Sequence, residues 1–366
     1  MKNRQKWEGM ALTLGGSLLA ILFALGLCAI LLVLIGNNPF TVYRQMLEYG
    51  SSRDSFVNEV QRAVPLMLSA TAVAIGFKMK LFNIGVEGQT RLAVLLTAAI
   101  GAKVQMPAVL HVTFMILLAM AIGAVGAGVA GVLKVKRGVN EVISTIMLNY
   151  IYIGLVSWMF DEYFIVGTQT LNVHTDFLPR SAWFPLLVHG KEKLTGFLVI
   201  ALLVIVVFWV VVWKTRFGFH LRSSGANPGA ARVAGVNPGR MVMTAMLLSG
   251  AVAGLVGLPG LLGDTPHAYR RGLAEGYGFE GIAVALLGRN HPVGIVLASL
   301  LFGFLDRSSA ILQVNEIPQE IVQIIKGVTV LAVVIVNAAL KRWYDRRTQR
   351  VAAAAIGAIE LETAPA

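Results

Sequence analysis

The sequence predicts an all-α, polytopic membrane protein with about ten transmembrane or half-membrane helices. Hydrophobic residues make up 56% of the 366 positions and charged residues only 14%, whereas a soluble domain is nearer a quarter charged. Residues 10–36 contain no formally charged side chain. About 20 such residues in a helix cross a hydrocarbon core of about 30 Å. Because backbone groups inside that core must bond to one another, we expect these runs to be helices.

Successive apolar segments define the predicted organisation of the chain. We expect a cytoplasmic N-terminus at residues 1–9, a transmembrane domain at 10–345 and a flexible cytoplasmic tail at 346–366. The segments have unequal lengths, and several are shorter than a full crossing requires. They lie at residues 10–36, 64–77, 89–101, 108–132, 142–160, 196–213, 242–263, 279–288, 292–305 and 320–340.

Positive charge is concentrated between the apolar segments. The net charge is +12. If the N-terminus is cytoplasmic and every segment crosses, the inside loops hold more lysine and arginine than the outside loops. This distribution is typical of topology signals, so we expect both termini in the cytoplasm. The same placement makes the lipid bilayer, and not a nucleic acid, the expected surroundings of the basic residues.

Two short apolar segments adjoin polar, glycine-containing sequence. Segment 279–288 is only about 15 Å long as a helix, and segment 64–77 runs into the polar stretch Lys78–Gln89. We expect neither segment to span the membrane alone. Short, interrupted segments in both halves of a chain are typical of a transport site near the bilayer midplane. An ordinary cytoplasmic turn explains each half alone about equally well, but the presence of both favours the transport site. A weak repeat between the segments indicates duplicated halves, although chance would also produce it.

The longest predicted inside loop, residues 214–241, contains a signal for a short helix. Asn227 can cap a helix whose first residue is Pro228, the following alanines favour helix, and Gly235 can end it. Such a helix could dock into a cleft of a cytoplasmic partner. The alternative is a plain basic loop held near anionic lipid. A capped helix with a defined end is more specific than retention of charge requires.

Three stretches together resemble one family of transport proteins. They resemble bacterial ABC importer permeases of the branched-chain amino-acid and simple-sugar class, and in particular the nucleoside-uptake branch of that class. The ribose-type branch has a different sequence at the second stretch. The resemblance covers about residues 60–340. The stretches are Leu221-Arg222-Ser223-Ser224-Gly225-Ala226-Asn227-Pro228, Leu81-Phe82-Asn83-Ile84-Gly85-Val86-Glu87-Gly88-Gln89 and Ala283-Val284-Ala285-Leu286-Leu287-Gly288-Arg289-Asn290-His291-Pro292.

The resemblance implies a permease domain at 10–345 in the bacterial inner membrane, and a set of partners. These are an ABC ATPase subunit, a second permease (identical or a related paralogue) and an extracytoplasmic substrate-binding lipoprotein, which the outside loop 161–195 could receive. The chain has no Gly-x-x-x-x-Gly-Lys-Ser/Thr phosphate loop. We therefore expect no catalytic residue, metal site or cofactor of its own, and ATP used by the partner. The residues expected to couple to the ATPase are Arg222, Gly225, Asn227, Pro228, Ala231, Arg232 and Gly235.

A nucleoside pathway requires hydrogen-bonding groups for base and ribose and an aromatic or apolar wall. Each candidate residue has a structural alternative. Amides also join membrane helices, and a tyrosine also sits in an interfacial belt. The candidates for the pathway are Asn83, Glu87, Gln89, Asn149, Tyr150 and Phe279.

Two other functions stay open at this stage. A simple-sugar ABC permease shares the family features. A secondary transporter driven by sodium or protons needs ionisable groups inside the membrane, where they are costly unless functional. Its candidates are Glu87, Arg91, Glu280 and Lys326, of which Glu87 and Arg91 are spaced to pair on one helix face. A membrane enzyme is less consistent with the sequence, because the six histidines form no HExxH or metal-ligand pair.

Overall fold

The computed structural model describes residues 22–166, 173–190, 192–264 and 266–314, and beyond them residues 323–332 and positions 335, 336, 339 and 342. The predicted N-terminal segment 1–9 and tail 346–366 lie outside the described residues. Two compact units are present. The described residues of 1–47 and 311–366 form one, and residues 48–310 form the other.

Helices account for most of the described chain, as predicted. They are α1 (Leu22–Leu34), α2 (Pro39–Gly50), α3 (Arg53–Phe77), α4 (Val86–Gly101), α5 (Ala108–Arg137), α6 (Glu141–Met159, continued by a π-helical turn at Phe160–Phe164), α7 (Phe197–Lys214), α8 (Arg216–Ala226), α9 (Pro228–Val233), α10 (Pro238–Leu255), α11 (Leu258–Gly263), α12 (Tyr277–Leu287), α13 (Pro292–Val314) and α14 (Gln323–Ala332).

The lengths of these helices show a multi-pass protein. Among the described residues, six spans are long and apolar enough to cross a membrane, and α1 with α2 forms a seventh if a pair bent by 117° counts as one. This is fewer than the ten segments of the sequence, because α4 and α12 are short and because segments 10–36 and 320–340 extend beyond the described residues. The six spans are Arg53–Phe77, Ala108–Arg137, Glu141–Phe164, Phe197–Lys214, Pro238–Gly263 and Pro292–Leu312.

One predicted boundary was wrong, at the start of α3. The apolar pattern begins at 64, but the helix begins at Arg53 and has 25 residues. Ser52 caps it by accepting a hydrogen bond from the N–H of Ser55, and the polar turns that follow carry no hydrophobic run. Pro65 lies inside the helix without ending it. The segment is therefore long enough to span the membrane, contrary to the prediction.

Helices α4 and α12 are shorter than a full crossing of the membrane. For segment 279–288, which forms α12, this confirms the prediction. Helix α12 has 11 residues, about 16 Å, and α4 has 16 residues, about 24 Å. A hydrocarbon core is about 30 Å thick. Both helices begin next to glycine, at Gly276 and Gly85.

Helices α5 and α10 pack through small residues. A Cβ atom added at Gly250 would collide with the carbonyl of Gly123, and one at Gly254 would collide with the carbonyl of Ala119. Gly250 and Gly254 are four apart, the spacing by which glycines let two membrane helices approach closely. The two backbones are therefore in direct contact along this face.

The loop between α6 and α7 contains the described β-structure. Strands β1 (Leu186–Val188) and β2 (Leu194–Thr195) form an antiparallel pair that the all-α prediction did not include. The same loop pairs through its backbone with the segment after α11, since the N–H of Leu178 donates to the carbonyl of His267 at 2.9 Å. The His267 ring stacks on Trp183 at 4.1 Å, and burial lowers the pKa of the imidazole.

The contact between α5 and α10 predicts an intolerance of larger side chains. Gly254→Leu should destabilise the folded chain by about 3 kcal/mol, because overpacking of a tight contact costs about 1–3 kcal/mol or more. Thermal unfolding in detergent, followed by size-exclusion chromatography, measures the effect. Gly154→Leu is the matched control, since a Cβ there meets no atom within 4 Å. Equal unfolding temperatures for the two variants would contradict the packing argument.

Candidate functional site

The two interrupted segments meet at the side chain of Glu87. This residue lies in the first turn of α4, and its carboxylate reaches the start of α12. The N–H of Gly276 donates to Oε1 at 2.8 Å, and the N–H of Gly278 donates to Oε2 at 2.8 Å. A negative charge is favourable at the N-terminus of a helix. One carboxylate thus joins the beginnings of both short helices.

A guanidinium neutralises this buried carboxylate. Arg91, one turn further along α4, approaches Glu87 Oε1 at 2.7 Å and also contacts Glu275 Oε1 at 3.0 Å. The Glu87 side chain is fully buried. A buried charge is tolerated where it is paired and hydrogen-bonded, and Glu87 meets both conditions. The spacing that predicted a pair between Glu87 and Arg91 is confirmed.

Glycines allow α12 to lie directly against its neighbours. An added Cβ at Gly278 would overlap the backbone of Glu87, and one at Gly281 would overlap Ser69 of α3. The short helix therefore has no room for side chains on this face. Its position is set by backbone contact with α4 and by the two hydrogen bonds to the carboxylate.

A network of side-chain amides links the turn before α4 to the first turn of that helix. Asn83 and Gln89 exchange two hydrogen bonds of 3.0 Å, and Asn83 Nδ2 also donates to Ser249 Oγ at 3.0 Å. Ser249 in turn donates to the carbonyl of Ala72 at 2.7 Å. These bonds tie the turn before α4 to α3 and α10. The sequence indicated Asn83 and Gln89 but not Ser249, because the contact joins residues far apart in the chain.

The remaining pathway candidates divide into one buried residue and two exposed ones. Asn149 is buried, and its Oδ1 accepts from the N–H of Gly88 at 2.5 Å. Tyr150 is 70% exposed and Phe279 is 49% exposed. The structure therefore brings Asn83, Glu87, Gln89 and Asn149 together as internal partners of α4. It leaves the two aromatic rings on the surface of the chain.

The loop 214–241 contains two helices, α8 and α9. The predicted cap is present, since Asn227 Oδ1 accepts from the N–H of Ala230 at 3.1 Å and Pro228 is the first residue of α9. Gly235 adopts φ +81° just after the helix, which agrees with its predicted role as the end of that helix. Arg232 is exposed and Ala231 is buried. The sequence did not indicate Val233, which is 91% exposed on α9.

Helix α8 contacts the turn that leads to the amide network. A Cβ at Gly225 would lie 2.6 Å from Met79 Cα, so only glycine allows this approach. Leu221 is buried in a cluster with Met79 and Leu81. The last turns of α8 are thus packed against the residues immediately before Asn83.

A positively charged side chain, Lys78, lies at the start of the turn that α8 contacts. The Lys78 ammonium lies 4.5 Å from the centre of the Trp213 ring. Burial lowers the pKa of Lys78, and the charge of Arg222 lowers it further. The like charges of Lys78 and Arg222 therefore lie close enough to interact.

No group of three histidine, cysteine, aspartate or glutamate side chains within the described part of the chain could hold a metal ion. The structure consists of packed membrane helices around two short helices, α4 and α12, whose N-terminal ends lie together. This arrangement defines a multi-pass membrane protein built around interrupted helices, as transport proteins are.

The comparisons with known proteins identify the family. The sequence model of the family "Branched-chain amino acid transport system / permease component" matches residues 55–334, and the chain belongs to this family. It is a membrane permease subunit of the ABC transporter class and not an enzyme. The family works in general with an ABC ATPase and a substrate-binding partner. The predicted resemblance is confirmed.

Several curated relatives are similar over most of their length. The guanosine ABC transporter permease protein NupP of Bacillus subtilis is 34% identical, covering 86% of this chain and 91% of its own. The nucleoside ABC transporter permease protein NupB of Lactococcus lactis is 31% identical, covering 87% and 90%. The glucose ABC transporter permease protein TsgB13 of Haloferax volcanii is 34% identical, covering 94% of each. No solved structure matches significantly.

The geometry of Glu87 predicts that its charge is essential. Glu87→Gln would turn an amide NH₂ toward an N–H of α12 and leave Arg91 with only the exposed Glu275 as a partner. Loss of one member of a buried ion pair costs up to about 3–5 kcal/mol. We expect a large fall in unfolding temperature and in uptake.

Exposed Glu162 supplies the matched control, since Glu162→Gln removes a carboxylate without a buried partner. The double variant Glu87→Gln/Arg91→Gln should recover part of the lost stability, because the guanidinium that lost its buried partner is removed with it. A Glu87→Gln chain as stable and active as the control would show that the carboxylate does not hold the two helices.

Proposed function

We propose that this chain forms the membrane pathway of an ATP-driven importer of nucleosides. The family membership and the two relatives named as guanosine and nucleoside permeases support the substrate class. The contact of Gly225 with Met79 supports coupling of the ATPase to the pathway, because it links the loop 214–241 to the turn before α4. The chain itself binds no cofactor in this proposal, and a separate ATPase subunit uses ATP.

The proposed topology has ten membrane segments in the bacterial inner membrane. The six spans, α1, the half-helices α4 and α12, and α14 correspond to the ten apolar segments of the sequence, and α2 lies outside them. The charge bias supports a cytoplasmic location for residues 1–9, 214–241 and 346–366, with the permease domain at 10–345. A second permease, identical or related, would complete the pathway, and a lipoprotein would deliver the substrate.

The coupling surface is proposed to be the exposed face of α9. Val233 and Arg232 are solvent-exposed there, and an apolar side chain beside a cation suits a cleft in a partner protein. The cap at Asn227 and the turn at Gly235 fix the ends of this helix. Arg222, Gly225, Asn227, Pro228 and Ala231 would support it from behind.

Motion of the ATPase would reach the pathway through direct contacts. A push on α9 displaces α8, and α8 is packed on Met79 through Gly225. The turn that contains Met79 leads to Asn83, whose amide binds Gln89 and Ser249. Asn83, Glu87, Gln89 and Asn149 would then position α4 and α12, while Tyr150 and Phe279 offer accessible rings to the substrate.

A simple-sugar permease is the second candidate, and one observation favours it. The Haloferax relative named as a glucose permease is 34% identical over 94% of both chains. Uptake of labelled guanosine and glucose by the same cells separates these two substrates. An ion-coupled secondary transporter is less consistent with the site, because the Glu87 carboxylate is already paired with Arg91 and two N–H groups.

The proposed coupling surface predicts a loss of stimulated ATPase activity in three variants. Val233→Asp places a charge in an apolar contact, and Arg232→Ala removes the neighbouring cation. Gly235→Ala forces a left-handed backbone that costs about 1–2 kcal/mol. In the assembled transporter, we expect substrate-stimulated ATP hydrolysis to fall to its basal rate while membrane insertion is unchanged.

Val109→Asp, at the exposed start of α5, is the matched control for the exposed valine. Its ATPase activity should equal that of the unmodified chain. Normal uptake by the Arg232→Ala and Gly235→Ala variants would defeat the assignment of this surface. Uptake that continues in vesicles without ATP, and follows an ion gradient, would favour a secondary transporter.

A further inference from the structure

A polar cavity of about 400 Å³ lies beside the start of α12. This volume falls within the range of about 300–1,000 Å³ that is usual for small-molecule sites. None of the six pathway candidates lines it. Its wall comes from three places, namely the polar first turns of α3, the region of α11, and the segment Arg270–Tyr277.

The charged groups of the cavity are nearly balanced. Arg62, Arg270 and Arg271 and the carboxylates of Asp264 and Glu275 all contribute to its lining. Arg271 is also paired with Asp161, outside the cavity. A strongly anionic ligand would meet two carboxylates, and a cationic one would meet three guanidinium groups. A neutral ligand with many hydroxyl groups can both donate to carboxylates and accept from guanidinium groups. The balance therefore favours an uncharged, polyhydroxylated molecule.

The cavity also has an apolar surface. Pro65, Pro259 and Tyr277 contribute to its lining. An aromatic ring beside polar groups provides a face on which a nucleobase or the C–H face of a sugar can stack. This combination of a flat apolar face and convergent polar groups is the usual composition of a ligand site.

Hydrogen bonds hold the part of the cavity rim that α3 forms in place before a ligand binds. Gln61 Oε1 accepts from the N–H of Thr195 at 2.9 Å, and Asn58 Nδ2 donates to Glu192 at 2.6 Å. Glu192 is in turn paired with Arg307 at 2.9 Å. A rim held by such bonds does not have to be ordered when a ligand enters, which favours binding.

The cavity adjoins the helix junction described above. Glu275 is bound by Arg91 at 3.0 Å, and Tyr277 lies between the two glycines whose N–H groups bind Glu87. A second cavity, of about 170 Å³, shares Gly272 and Glu275 with the larger one and is also lined by Arg91. An occupant of the larger cavity would therefore touch the segment that starts α12.

We propose that this larger cavity is a binding site for a neutral, polyhydroxylated ligand, the chemistry that nucleosides and simple sugars share. The inference rests on the proposed function and adds a site to it. In the proposed topology the cavity lies on the extracytoplasmic side, where a substrate would be received before it passes the Glu87 junction.

The test is direct binding to the purified full-length chain in lipid nanodiscs. Tritiated guanosine and tritiated glucose are the two probes, so the measurement also distinguishes a nucleoside from a simple sugar as the ligand. We expect saturable binding of one of them. Gly260→Leu should weaken that binding roughly tenfold or more, a difference of about 1.4 kcal/mol, because its side chain fills the cavity. A Cβ at Gly260 meets only the flexible end of Leu273, at 3.0 Å, so the chain can accommodate it.

Gly154→Leu is the matched control and should bind like the unmodified chain. A second variant, Arg270→Gln, removes a charged donor from the cavity and should also weaken binding roughly tenfold, with Arg53→Gln on the exposed start of α3 as its control. Replacement of the ring in Tyr277→Leu should weaken guanosine binding, whereas Tyr277→Phe should preserve it.

Unchanged binding in both Gly260→Leu and Arg270→Gln would overturn the site. Failure of the unmodified chain to bind either probe would overturn it as well. ATP-dependent uptake by cells that carry the whole transporter is measured in parallel. Uptake that persists while the cavity variants behave like their controls rejects the site alone. Absence of uptake of both probes rejects the proposed function itself.

Discussion

The arrangement of the helices around α4 and α12 depends on one buried carboxylate. Glu87 accepts hydrogen bonds from two N–H groups at the start of α12 while it belongs to the first turn of α4. Two short helices would otherwise leave unpaired amide groups in an apolar medium, where each costs several kcal/mol. Arg91 keeps the charge neutralised. The interruption is therefore tolerated because Glu87 satisfies two N–H groups at the start of α12, while Asn149 accepts from Gly88 in the first turn of α4.

The surrounding helices differ in how much movement they permit. Along α5 and α10, glycine at 250 and 254 puts backbone against backbone, and such a contact leaves little freedom to slide. The turn before α4 has a similar glycine contact at Met79, but its end at Asn83 is held by side-chain hydrogen bonds, which can exchange partners.

Local signals in the sequence were sufficient for part of this structure. The cap at Asn227 and the brevity of segment 279–288 follow from neighbouring residues, and both are confirmed. The early start of α3 was missed because its first turns are polar and carry no hydrophobic pattern. The partnership of Ser249 with Asn83 and the cavity beside Tyr277 join distant parts of the chain, and one sequence holds no signal for such contacts. The roles of the pathway and coupling residues stay predictions.

The close approach of Gly225 to Met79 has a consequence for the exchange of parts between related permeases. Two surfaces that fit without intervening side chains are matched in shape, so each limits what the other can become. A hybrid that takes residues 214–241 from a paralogue would bring a foreign α8 against the native turn. Such hybrids should work best when residues 78–81 are transferred together with the loop. The two segments are separate in the chain but form one structural unit that has to be exchanged as a whole.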